Sequence, residues 1–386
     1  MKKTAFLVQI LITFKDLPMN KAESRSPQPN QDAWYSYPGK ENDVVLSTRV
    51  RLARNLASFP FPHAFRSDDA QRVKSLVFDS FSQMDSEQKY QSLAVKNLDP
   101  LGQRILSERG VISPETASAP MSGVIVRNDG KIACTVNTCD HVRISAFVTG
   151  LNAQAAFTLC KDVDDNLQNT LQFSASKEFG YLTASLADLG SGMKISVLVH
   201  LPSISAAGFL DRIFKDLMAK SYVISGFYGA GNDSGSSLGS YYQISTSNSF
   251  TGSEISQIDE LSLIVNQIAE FERKTRKEIA DNRPTSVRDQ VYRALALVKY
   301  SRFIGSREGV DLISRIKWGA DAGILNGIEN SELFALLYRI QTAHLQYVIR
   351  TSELKYEKDV VSEEKKIERL RSLIIQEAVA KVQLTA

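Results

Sequence analysis

Cysteine and histidine are scarce in this chain of 386 residues: three cysteines and four histidines. Cys134, Cys139 and Cys160 are too few for a disulfide framework and fit a reducing compartment, so a cytoplasmic location is expected. His63, His141, His200 and His344 lie far apart, with no pair at zinc-site spacing, and no metal centre is expected. Charge of one sign is also lacking. The 46 basic residues nearly balance 43 acidic ones, for a net +3, which gives no support to a general nucleic-acid or membrane-surface role. The longest early apolar run, Ala5 to Phe14, is too short to span a bilayer and is followed at once by Lys15 and Asp16, without a cleavage site. Met19 is an alternative start to Met1. The generic catalytic signatures are missing too. There is no GxxxxGK[ST], no GxGxxG after a strand, no GxSxG and no HExxH.

What is present divides in two. Residues 1–32 form an N-terminal extension, polar and proline-containing after Met19, expected to be disordered or mis-assigned upstream sequence. From Asp43 the pattern is α+β. The runs GVIVRN and KIACTV flank Asp129-Gly130, a hairpin signal. Strands are expected at Val142–Val148, Tyr181–Thr183, Lys194–His200, Tyr222–Phe227 and Tyr241–Ser247, and helices at Ala70–Met84, Ala153–Ser174 and Ile204–Lys220. From Glu254 apolar residues recur every three or four positions, and further helical patterns cover Val287–Ser301, Glu308–Lys317, Ser331–Val348 and Glu363–Gln383. The expected organisation is an α+β domain with antiparallel strands over 33–253 and an all-helical domain over 254–386.

One local feature points to chemistry. In Ser47-Thr48-Arg49-Val50-Arg51, at the end of a β run, the two arginines at i and i+2 share a face. Two guanidinium forks on one face suit a phosphate chain; a solvated basic edge strand is the plainer reading.

These residues also carry a resemblance. WYSYPGKENDVVLSTRVRLARNL followed by FPFP, then FGYLTASLADLGSGMKISVLVHLP, then GFYGAGNDSG with YYQIS, resemble in order and spacing the catalytic domain of the ATP:guanido phosphotransferases. VRDQVYRALALVKYSRFIGSREGVDLISRIKWGADAGIL and QTAHLQ resemble the helical C-terminal domain of the bacterial protein-arginine kinase branch. The resemblance covers about residues 33–350. It implies a phosphagen-kinase-like antiparallel sheet flanked by helices, ATP and Mg2+ as cofactors, and phosphoryl transfer to protein arginine. It also implies partners: a zinc-binding activator, the Clp protease system, and a homodimer.

Carried over by position, the resemblance assigns nucleotide contacts to Ser47, Thr48, Arg49, Val50 and Arg51, to Arg143, to Lys194, Ile195, Ser196, Val197 and Leu198, and to Ser225, Gly226, Phe227, Tyr228, Gly229 and Ala230. Several positions depart from the family. VNTCDHVR stands for VNEEDHLR, so Thr138 and Cys139 replace two glutamates while Asp140, His141 and Arg143 are kept. Ser185 stands at the reactive cysteine, Lys194 at a strand arginine, Ser225 at an arginine, Ala230 at a glutamate and Gly110 at a nucleotide-contacting histidine. Asp233 is a candidate replacement carboxylate. The phosphoarginine-sensing RDxxRA string is absent, Arg369 and Arg371 in KKIERLRSL being only loosely comparable. Two functions stay open on this reading. One is a protein-arginine kinase with weak or lost catalysis; the other is a pseudokinase, a nucleotide-responsive binding or regulatory module in protein quality control.

Overall fold

The computed structural model describes residues 33–66, 68–84, 89–119, 121–229, 237–249 and 252–385. The N-terminal extension, Ala230 and Asp233 lie outside them.

Eight strands form one sheet: β1 Val45–Arg54, β2 Tyr90–Ala94, β3 Gly123–Arg127, β4 Ile132–Val136, β5 Val142–Thr149, β6 Met193–His200, β7 Tyr222–Gly226 and β8 Tyr241–Thr246. Their order across the sheet is β2-β3-β4-β5-β1-β6-β8-β7, with every neighbouring pair antiparallel. Strand β1 is central. Both of its neighbours bring polar residues opposite its arginines.

The helices used below are α1 Asp69–Ser82, α2 Ala153–Gln168, α3 Leu210–Ala219, α4 Glu254–Asn282, α5 Pro284–Tyr300, α6 Ser306–Asp321, α7 Asn330–Arg339, α8 Thr342–Thr351 and α9 Glu363–Ala378. Their starts follow local chemistry. Asn152 accepts from the Ala155 N–H at the head of α2, Ser253 does so from Ser256 at α4, and Pro284 opens α5.

Alternation along the strands gives the sheet two different faces. On one, Val50, Leu52, Ile144, Ile195, Val197 and Ile244 pack with Ala156, Cys160 and Val163 of α2 and with Ile258, Leu261 and Val265 of α4. On the other, Leu46, Phe147 and Leu198 join Trp34, Tyr35 and the C-terminal helices through Val310, Phe334 and Leu337. The helical region is therefore docked on the face that carries Arg49 and Arg51.

Two expected helices are broken. Ile204–Lys220 divides into Pro202–Ala206 and α3, because Gly208 takes φ +78° and ends the first turn. Ser331–Val348 divides into α7 and α8 at Ile340–Gln341. Buried Arg371 holds that break, donating to the carbonyls of Ile340 and Ile304 and to the Thr342 hydroxyl. The strand expected at Tyr181–Thr183 is only the two-residue pair Gly180–Tyr181. Among the described residues, no helix is long and apolar enough to cross a membrane.

Candidate nucleotide site

Register decides which residues meet. Arg49 lies opposite Phe147 of β5 and Ser196 of β6, and Arg51 lies opposite Ser145 and Lys194. Arg143 is opposite Ala53, one row further along the same face. Arg49, Arg51, Arg143 and Lys194 thus stand together on three adjacent strands. Lys194 is held below its ordinary pKa first by burial and then by Arg51, with Arg143 and Arg49 adding to the repulsion. Arg49 is lowered to about 10, again by burial first and Arg51 second, and stays charged at neutral pH.

The folded chain neutralises this cluster unevenly. The Arg49 guanidinium donates to the Ser145 hydroxyl at 3.0 Å and lies over the Phe147 ring. Among the described residues neither Arg49 nor Lys194 has a carboxylate within ion-pair distance. The buried Nε atoms of Arg49 and Arg51 have no hydrogen-bond partner. Guanidinium groups with unused donor capacity, gathered on one sheet face, suit a polyphosphate, which brings many acceptor oxygens.

Two carboxylates do enter. Fully buried Asp140 accepts from Arg143 Nε at 2.9 Å, from Asn55 at 2.9 Å and from the Ala184 N–H at 2.8 Å, so it ties β1 to the loop before β6. Asp188, on that loop, accepts from Arg51 at 2.7 Å and lies 3.7 Å from Arg143. Asp188 carried no signal in sequence except its place in the loop SLADLGSG.

His141 is structural. Its Nδ1 accepts from the Leu56 N–H and its Nε2 faces the Pro60 carbonyl, which assigns the proton to Nε2. Burial lowers its pKa, and burial lowers those of His200 and His344 much further. Folding thus keeps three histidines neutral that the unfolded chain would protonate. Their contribution is full above the ordinary value of about 6.5 and is lost progressively as pH falls below it. Glu272, raised by burial to about 7, and Glu108, also raised by burial, work in the opposite direction over the same interval and offset part of this loss. The urea midpoint is expected to fall between pH 7.5 and pH 5.5.

The expected site residues separate by face. Ser47, Ser196 and Leu198 share the face of the cations. Thr48, Val50, Ile195 and Val197 do not: Thr48 donates to the Gly150 carbonyl and the other three are core on the opposite face. A contiguous strand segment cannot present all its side chains to one ligand, since the period is two. Arg54 also faces away. It forms a bidentate pair with Asp164 of α2 at 2.9 Å for each bond. Ser225 is on edge strand β7, three strand spacings from β1, about 14 Å, so its short side chain does not reach the cluster. Gly226, Phe227, Tyr228 and Gly229 continue from that edge, and Gly229 takes φ +63°.

At the positions matched to family catalytic groups, Thr138 has a buried hydroxyl without a partner, Cys139 is exposed at the turn before β5, and Ser185 lies in the Asp188 loop. Cys139 is within electrostatic reach of Arg51. Gly110, with φ +69°, has open space where a side chain would be. In the C-terminal region Arg371 is engaged as described above and Arg369 pairs with Glu357 at 2.9 Å.

Comparisons with known proteins agree with this architecture. Residues 72–275 match the family model described as ATP:guanido phosphotransferase, C-terminal catalytic domain. Residues 284–385 match that of the protein-arginine kinase McsB C-terminal domain. The chain is similar to the protein-arginine kinase of Syntrophomonas wolfei, 33% identical over 79% of this chain and 86% of the relative. To that of Desulforamulus reducens it is 31% identical over 88% and 96%. Among solved structures, lombricine kinase superposes with a TM-score of 0.55 at 19% identity, covering 66% of this chain and 74% of the other. A taurocyamine kinase from Schistosoma mansoni gives 0.55 at 20% identity, covering 64% and 36%. At those identities the structural likeness concerns the fold.

Proposed function

Because the chain belongs to the ATP:guanido phosphotransferase family, in its protein-arginine kinase branch, we propose that it is a nucleotide-binding member whose transfer of phosphate to protein arginine is weak or lost. The observation that carries this reading is the contrast within one face. Arg49, Arg51, Arg143 and Lys194 stand together, while the positions matched to the acceptor-activating groups hold Thr138, Cys139 and Ser185. In phosphoryl transfer the protein mainly neutralises and positions. Arg49, Arg51, Arg143 and Lys194 would do that for the triphosphate, and a bound Mg2+ would supply further neutralisation of its charge. A guanidinium with pKa above about 12 is a poor nucleophile unless a carboxylate takes its proton and orients it. No side chain at those three positions is a carboxylate.

The acceptor class proposed is protein arginine. A zinc-binding activator, the Clp system and a cytoplasmic setting are proposed from family resemblance. The alternative role, a nucleotide-responsive module, shares the same binding step.

Calorimetric titration with ATP, with and without Mg2+, tests the reading. Arg49→Ala is expected to weaken binding at least about tenfold, since a charge-assisted contact contributes about 1.5–3 kcal/mol. Equal affinity in parent and variant would remove Arg49 from the site. Labelled ATP with an arginine-rich protein, scored for acid-labile phosphate, tests the second half. Turnover at about 1 s⁻¹ or faster, ordinary for kinases, would overturn the claim of impaired transfer.

A further inference from the structure

Asp188 sits where an anion belongs. Its carboxylate reaches two of the four cations, Arg51 at 2.7 Å and Arg143 at 3.7 Å, and its side chain is 8% exposed. The loop is built to hold it there. Its N–H donates to the Ser185 carbonyl, the Ser249 N–H donates to the Ala187 carbonyl, and Arg54 grips the Ser191 carbonyl from the far side. Nothing in local folding demands a carboxylate at this position, since the loop is closed by backbone bonds and by Asp140 receiving the Ala184 N–H. Arg49, by contrast, has no described carboxylate acting on it, while Lys194, opposite Arg51, feels Asp188 without an ion pair to it. The cluster is neutralised unevenly, at the Arg51–Arg143 end and not at Arg49.

We propose that Asp188 is an internal occupant of the anion site, one that an incoming phosphate chain must displace from Arg51 and Arg143. This rests on the reading of that face as a polyphosphate site and adds a selectivity to it. A single phosphate either competes with Asp188 for the same two guanidiniums or is held by Arg49 alone, and gains little either way. A chain of phosphates can anchor first at Arg49 and then extend along the strand to Arg51 and, directly opposite it, Lys194, because side chains two residues apart on β1 are about 6.7 Å apart on the same face. Its additional contacts displace the carboxylate. Asp188 therefore disfavours orthophosphate and makes the site respond to polyphosphate chains.

The test uses the full chain, with sodium tripolyphosphate and sodium orthophosphate as probes, in parent, Asp188→Asn and Asp188→Ser. Removing one negative charge a few ångströms from the bound phosphates is expected to tighten tripolyphosphate binding on the order of tenfold at low salt. The preference for tripolyphosphate over orthophosphate should shrink. The dependence of affinity on ionic strength should steepen. Meanwhile the thermal midpoint of the ligand-free variants should drop, since crowded cations lose their counter-charge. Opposite movement of stability and affinity separates this role from a structural one, which would lower both. If the parent binds tripolyphosphate and both variants bind it no more tightly, the role of Asp188 is refuted and the polyphosphate reading stands. If none of the three binds tripolyphosphate or ATP, the polyphosphate reading fails and this inference fails with it.

Discussion

Installing glutamate at Thr138 and Cys139 together with Ser185→Cys and Ala230→Glu is expected to raise arginine phosphorylation by about 10²–10⁴, the range associated with a positioned general base. The geometry around the turn before β5 favours this. Cys139 is exposed, so a longer side chain there displaces no core. It stands within electrostatic reach of Arg51, so a carboxylate at 139 would lie near the cation cluster. Thr138 has a buried hydroxyl without a hydrogen bond, so replacing it breaks no described contact. The turn itself is held independently by Asn137 and His141, whose backbone groups bond each other, and by Asp140. Acid-labile phosphate on an arginine-rich substrate is the readout. If the fourfold variant binds ATP as well as the parent and still transfers nothing, the missing groups are not what limits turnover. The single Cys139→Glu variant is expected to recover only part of the gain, because groups that act as a unit are not additive.

Asp164→Ala is expected to lower folding stability by about 3–5 kcal/mol, seen as a fall in the urea midpoint. Asp164 and Arg54 are both almost fully buried and are joined by two bonds of 2.9 Å. Deleting the carboxylate leaves a guanidinium in the core between α2 and the sheet, with Tyr181 stacked against it at 3.5 Å. The cost is that of the uncompensated charge; replacing both partners with Asp164→Leu and Arg54→Met should cost much less. A loss equal in the single and double variants would contradict this account. Arg54 also holds the Ser191 carbonyl, in the loop that carries Ser185 and Asp188. The single variant should therefore bind polyphosphate less well even where it remains folded.

Much of the site was legible because strand periodicity is strict. Arg49 and Arg51 share a face at i and i+2, and Arg54, three residues on from Arg51, falls on the other face by the same rule. The inclusion of Thr48, Val50, Ile195 and Val197 shows the opposite case, in which a segment matched as a block overrode the alternation written in it. Helix boundaries were less legible. Ile204–Lys220 reads as one amphipathic run, and only the left-handed turn at Gly208 divides it. The break at Ile340 has no local breaker residue. It depends on Arg371, thirty-one positions away, binding the Ile340 carbonyl.

By itself the sequence determined the family, through motifs in matching order, and the α+β core followed by helices, through periodicity; strand spacing put Arg49 and Arg51 on one face, and the family resemblance added Arg143 and Lys194. The tertiary structure alone decided the balance of charge in the cluster. Asp188, Arg51 and Arg143 meet from three separate segments, and electrostatic energy depends on distance in space, which β-sheet register and loop closure set and linear spacing does not.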